Sequence, residues 1–184
     1  MIEQFHFKPR RPEGFLAGGQ TINLGTVTAE IISTPGHTAG HMAFFFKEPR
    51  VLFIGDYDLS DFGPWYGDVE SSIEETIASV ERLRHIPARV WMAGHEIGLF
   101  EEEPGERWDQ YLGVIQRREE KLLDLLKEPR TLEDIVNAHI FYGKAREPKE
   151  FFDVGENGNM KKHLERLVKQ GSIKKQGRYY CRCR

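Results

Sequence analysis

Thr26–Thr34 (TVTAEIIST) alternates apolar and polar positions and is rich in β-branched residues, which predicts a strand. Gly40–Phe46 (GHMAFFF) and Arg50–Gly55 (RVLFIG) are short unbroken apolar runs, the pattern of buried strands, with a turn at Lys47–Arg50 between them. Ser71–Ile86 places Ile73, Ile77, Val80 and Leu83 at helical spacing. Ser71 or Ser72, with Glu74 or Glu75 three residues on, marks the start of that helix as a capping box. Ala88–Gly94 (ARVWMAG) returns to strand. Three strands, a helix and a strand predict a mixed α/β layer architecture.

The pattern changes after Glu101–Glu106 (EEEPGE). Glu106–Leu126 predicts one long helix, with Trp108, Leu112, Ile115, Leu122 and Leu126 on one stripe. Thr131 and Asp134 form a capping box that opens a second helix. Asn159–Gly171 predicts a third helix ended by glycine. Ser172–Arg182 predicts a hairpin turning near Gln176 and Gly177. Helix, helix, helix, hairpin is the order of a winged helix, so the expected division is residues 1–105 and a helical, winged-helix-like part, 106–184.

The chain has 184 residues, 39% of them hydrophobic and 11% aromatic, enough for a packed core. No apolar run approaches the roughly 18 residues that span a membrane. The opening residues lack the apolar core of a signal peptide, so a cytoplasmic protein with no membrane partner is expected. Cys181 and Cys183 read as free thiols of a surface strand. The net charge of −3 conceals an asymmetry: residues 159–184 hold nine basic side chains and one acidic, a surplus of +8 against −11 for the rest. Lys161, Lys162 and Arg166 on the third helix, with Lys174, Lys175 and Arg178 on the hairpin, are candidate nucleic-acid contacts. The competing reading, favoured here, is a basic face that docks on the acidic remainder or on a partner subunit.

Three polar landmarks share one arrangement. His37 follows a strand ending in Pro-Gly, Asp56 follows VLFIG, and His95 follows VWMAG. Neighbouring strands end along a common sheet edge, so residues just past those ends can converge. Glycine beside each leaves room for close backbone approach. Two imidazoles and a carboxylate suit zinc, with iron or manganese also possible. Phe62, Trp65 and Tyr66 lie on a Gly-Pro-rich loop just past Asp56 and are candidates to line a substrate; the alternative is that Trp65 simply packs over the sheet edge. Asp58 and Asp61 read as surface-loop carboxylates.

TPGHTAGH, LFIGD and AGHE, in that order, resemble three metal motifs of the metallo-β-lactamase superfamily of hydrolases, which includes glyoxalase II-like thioesterases, lactonases, lactamases and nucleases. The resemblance covers roughly residues 20–100. It implies that His37 binds a first metal, that Asp56 bridges two metals and is the catalytic carboxylate, and that His95 binds the second. It gives His41 a supporting place behind the ligands. It also implies hydrolysis of a small-molecule ester, thioester, lactone or phosphoester by metal-bound hydroxide. The superfamily's principal motif, H-x-H-x-D-H, has no counterpart: 36 residues precede His37, and His6 is the sole histidine among them. The expected fold is therefore half of an αββα sandwich plus a C-terminal extension. Such a chain is expected to be inactive by itself and to need a second copy, or a missing N-terminal half, against its sheet. The alternative is a non-catalytic protein of the same descent that binds nucleic acid or a partner through its basic tail.

Overall fold

A computed structural model describes residues 11–95 and 98–183; His6 lies outside them. The elements run β1 (Thr21–Asn23), β2 (Thr28–Ser33), β3 (Met42–Phe46), β4 (Val51–Phe53), α1 (Ile73–Arg84), β5 (Val90–Met92), β6 (Leu99–Phe100), α2 (Arg107–Leu125), β7 (Arg130–Thr131), α3 (Leu132–Asn137), α4 (Lys149–Lys169), β8 (Ile173–Gln176) and β9 (Tyr179–Arg182). The first six strands form one sheet in sequence order. All its neighbours are antiparallel except β4 and β5, which are parallel because α1 carries the chain back between them.

Strand alternation divides this sheet into two faces. Across one face Phe45, Leu52, Trp91 and Phe100 are successive cross-strand partners, with Ile32 opposite Ala43 beside them. This face packs against Val80 and Leu83 of α1 and Trp108 and Tyr111 of α2. Across the other face run Ile31, Phe44, Phe53, Met92 and Leu99. Ile31 is buried, Phe44 and Phe53 are half-buried, and Met92 and Leu99 are 42% and 48% exposed. Among the described residues neither hydrophobic core takes in the last four. The chain is thus α/β, with one sheet clothed by helices on one side. A second core joins Tyr66 and Ile73 to Ile115 and Leu122 of α2, Ile135 of α3, and Met160 and Leu164 of α4.

Helix α1 starts at Ser72, whose hydroxyl accepts the Glu75 N–H. Helix α3 starts at the capping box of Thr131 and Asp134. The buried face of α2 holds Tyr111, Val114 and the charged Arg118 as well as Trp108, Ile115 and Leu122. Helix α4 begins ten residues before Asn159, the expected start. Gly155 and Gly158 obscure that first half, since each disfavours a helix interior by about 1 kcal/mol relative to alanine. Both sit at close approaches. A Cβ at Gly155 would lie 2.2 Å from the Tyr142 hydroxyl, and one at Gly158 would lie 2.2 Å from the Gly67 carbonyl oxygen. The hairpin β8–β9 turns where expected, and β7 adds a third strand beside β9 that local patterning does not reveal. Among the described residues no helix is long and apolar enough to cross a membrane.

Candidate metal centre

Strands β4 and β5 are parallel, and β2 runs in the same direction because two antiparallel steps separate it from β4. Their C-terminal ends therefore share one sheet edge, and the segments after them carry His37, Asp56 and His95. The preceding glycines permit this. Gly36 has φ +130° and Gly55 φ +58°, backbone conformations that side-chain-bearing residues rarely adopt. A Cβ at Gly36 would stand 2.3 Å from the Thr76 nitrogen, and one at Gly55 would stand 2.5 Å from His41 Nε2. The Gly94 N–H donates to the Gly55 carbonyl at 2.8 Å, which ties the last two turns together.

The three side chains meet at Asp56. Its Oδ2 lies 3.3 Å from His37 Nε2 and its Oδ1 lies 2.8 Å from His95 Nε2. Side-chain exposure rises from 21% at His37 through 36% at Asp56 to 63% at His95, so the centre opens to solvent on the His95 side.

Behind them stands a set of fixed partners. His41 is buried, and its Nδ1 donates to the Thr34 carbonyl at 3.0 Å, with the Thr34 hydroxyl at 2.8 Å. Its Nε2 then accepts the Asp56 N–H at 3.0 Å. Both nitrogens are committed, so the ring is neutral and serves to hold the Asp56 backbone. Burial, and then the charge of His37, push its pKa down, against the Thr34 backbone bond and Asp56. The Tyr57 hydroxyl accepts the His37 N–H at 3.2 Å and donates to the Pro35 carbonyl at 2.9 Å. The Ser71 hydroxyl donates to the His37 carbonyl at 2.5 Å, and Ser79 donates to Pro35 at 2.7 Å. Sequence reasoning missed Tyr57, Ser71 and Ser79 as supports. The one available signal was that Tyr57 directly follows Asp56. Asp58 accepts the Ser60 N–H, a turn contact within the loop.

The donor chemistry fits a divalent ion. His37 Nδ1 lies 3.0 Å from the Trp65 carbonyl oxygen, which can only accept, so Nδ1 carries the proton and Nε2 is the end left for a metal. The three side chains touch one another, and among the described residues no group of three or more His, Cys, Asp or Glu is placed to hold a metal ion.

The model of the metallo-beta-lactamase superfamily matches residues 2–95 of the chain. The chain belongs to that superfamily. Among its relatives is a beta-lactamase-like protein 2 homolog from Caenorhabditis elegans, 24% identical over 172 residues, covering 94% of this chain and 52% of the relative. A hydroxyacylglutathione hydrolase from Methylococcus capsulatus is 40% identical over 74 residues, covering 40% of this chain and 28% of the relative. Among solved structures, a metallo-beta-lactamase family protein from Thermus thermophilus superposes with a TM-score of 0.76 at 29% identity, covering 95% of this chain and 56% of that one. The chain thus spans about half the length, or less, of these relatives.

In this member of the superfamily the loop after Asp56 divides its three aromatic residues. The Trp65 ring centroid lies 5.3 Å from that of His37, beside the candidate centre. Phe62 is 37% exposed and packs on Phe141 and Tyr142. Tyr66 faces inward: it is fully buried, its hydroxyl 2.8 Å from His163 Nε2 and 3.0 Å from Arg118. Burial and the loss of hydration push its pKa up to about 12. The six basic candidates also divide. Lys162 donates to the Val69 carbonyl, and Arg166 pairs with Glu74 and Glu119. Lys161, Lys174, Lys175 and Arg178 are exposed, with Lys175 over the Tyr180 ring and Arg178 over that of Tyr179.

Proposed function

We propose that this chain carries part of the active site of a metal-dependent hydrolase acting on an ester, thioester, lactone or phosphoester. Zinc is the first choice of ion, with iron or manganese next. The observation that carries the reading is Asp56 held between two imidazoles, one at each carboxylate oxygen. In this reading His37 and His95, through Nε2, and Asp56 would hold the metal. His41 stays off the metal and fixes the Asp56 main chain through its N–H. When bound, the metal supplies a Lewis acid and lowers the pKa of a water at the site. Trp65 stands beside His37, and a small-molecule substrate would enter from the open His95 side. The hydroxyacylglutathione hydrolase among the relatives supports an acyl compound as that substrate.

Three donors fall short of what a two-metal hydrolytic site requires. The chain by itself is therefore expected to show little or no turnover. The remaining donors would come from a layer packed on the half-covered sheet face, either a second copy or a further segment. A cytoplasmic location belongs to the same reading. The bonds of Lys162 and Arg166 support a basic tail that docks on the rest of the chain, ahead of a tail that binds nucleic acid.

A panel of thioester, lactone and phosphodiester substrates tests this with added zinc or manganese. The expected result is little or no release, with Asp56→Ala removing whatever metal-dependent release remains. Release indifferent to metal and to Asp56→Ala would contradict the hydrolase reading. Robust turnover would contradict its incompleteness.

A further inference from the structure

Helix α4 lies in the C-terminal part of the chain, yet its Gly158–Asn159 edge reaches the candidate centre through one loop. Gly158 lets the Gly67 carbonyl approach the helix backbone to where a Cβ would stand 2.2 Å away. Asn159 is fully buried; its Oδ1 accepts the Tyr66 N–H at 2.9 Å, and its Nδ2 donates to the Gly155 carbonyl at 2.8 Å. From α2, Arg118 donates to the Pro64 carbonyl at 2.7 Å and to the Phe62 carbonyl at 2.8 Å. Arg118 is itself buried, with its guanidinium carbon 3.7 Å from the Phe141 ring centroid. The loop is thus pinned on both sides of Trp65. Between the pins, the Trp65 carbonyl is the acceptor for His37 Nδ1.

A glycine in a helix interior is costly, and a buried guanidinium that bonds to loop carbonyls is an unusual use of a charge. Both are accounted for by what they immobilise. We infer that Arg118, Gly158 and Asn159 are positioning residues for His37: they hold the Trp65 carbonyl where it keeps the proton on Nδ1 and turns Nε2 towards Asp56. The helices after residue 105 then share in preparing the centre, although they supply none of its three donors. The inference rests on the proposed role of His37 for its effect on metal binding. The ring tautomer itself is independent of that role.

Gly158→Ala is the sharpest perturbation. Alanine favours the helix, so the variant is not weakened locally. Its Cβ must still push Gly67 by about 1 Å, from 2.2 Å to the ordinary contact distance near 3.4 Å. Arg118→Lys is the second variant, because an ammonium cannot span two carbonyls as the guanidinium fork does. Gly113→Ala on α2 is the control: its Cβ would meet nothing nearer than the flexible end of Arg117, at 3.2 Å. The full chain is examined first without metal, by two-bond 1H–15N NMR of the histidine rings. His37→Gln assigns the signal. Zinc affinity is then measured by competition with a chromogenic chelator.

The expected result is a proton held on His37 Nδ1 in the wild type and the control. Gly158→Ala and Arg118→Lys should show a mixed tautomer and bind zinc roughly 10–100-fold more weakly, as loss of an outer hydrogen-bond partner does elsewhere. Folded variants with an unchanged His37 signal would overturn the inference. If the wild type binds no zinc, the ligand role of His37 fails, and the tautomer still decides the positioning role. If one variant does not fold, the other carries the test.

Discussion

Gly55→Ala tests how tightly the turn before Asp56 is built. Gly55 sits at φ +58°, a left-handed conformation that costs an alanine about 1–2 kcal/mol. The new Cβ would lie 2.5 Å from His41 Nε2 and 3.0 Å from its Cε1. His41 is 8% exposed and bonded at both ring nitrogens, so it cannot swing aside without breaking a buried hydrogen bond. That loss costs about 1–3 kcal/mol. A stiffer unfolded chain offsets about 0.4–1 kcal/mol. The net destabilisation is roughly 3 kcal/mol, which lowers Tm by roughly 6–12 °C in a chain of this size. Differential scanning calorimetry measures it, with Gly40→Ala as the reference. Gly40 has nothing within 4 Å of its Cβ position and should leave Tm nearly unchanged. A Gly55→Ala protein melting within about 2 °C of the wild type would refute the argument from the His41 contact.

The apolar row of Phe44, Phe53, Met92 and Leu99 should drive self-association, since burial contributes about 25 cal/mol per Å². Light scattering should show mass rising with concentration, reduced in Met92→Lys and Leu99→Lys; a monodisperse wild-type monomer at high concentration would contradict this. Stability should also fall as pH drops below about 6.5. Burial holds the pKa of His163 below the ordinary 6.5, against Glu119, while Arg118 and Arg166 act with burial; His41 is lowered too. The unfolded chain then takes protons that the fold refuses, and the fold loses stability through that window. Glu156, raised by burial above the ordinary 4.5, opposes part of the loss. The urea midpoint should be lower at about pH 5.5 than at about 7.5, with a shallower fall in His163→Gln; an unchanged midpoint would contradict the reasoning.

The convergence of His37, Asp56 and His95 was legible because it depends on local facts. Each follows an apolar strand and a glycine, and strands that neighbour in sequence also neighbour in this sheet. The helix starts at Ser72 and Thr131 were legible for the same reason, since a cap is a contact within four residues. What stayed hidden depends on distant contacts. Gly155 and Gly158 argue against a helix until Tyr142 and Gly67 are seen against them. The burial of Arg118 on α2 is explained only by the carbonyls of the Phe62–Tyr66 loop. Tyr66 reads from its loop as a candidate substrate contact, and nothing in the loop announces its hydrogen bond to His163, 97 residues later. The supports of His37 were hidden likewise: Tyr57 and Ser71 reach it across 20 and 34 residues.

Zinc binding by the whole chain tests the central claim most directly. Isothermal titration is made on the wild type, on His37→Ala, Asp56→Ala and His95→Ala, and on Lys174→Ala, which changes an exposed residue of the tail. The account predicts weak binding of zinc by the wild type and by Lys174→Ala, lost in each of the other three. A wild-type chain that takes up no zinc, or uptake that survives all three substitutions, would contradict it.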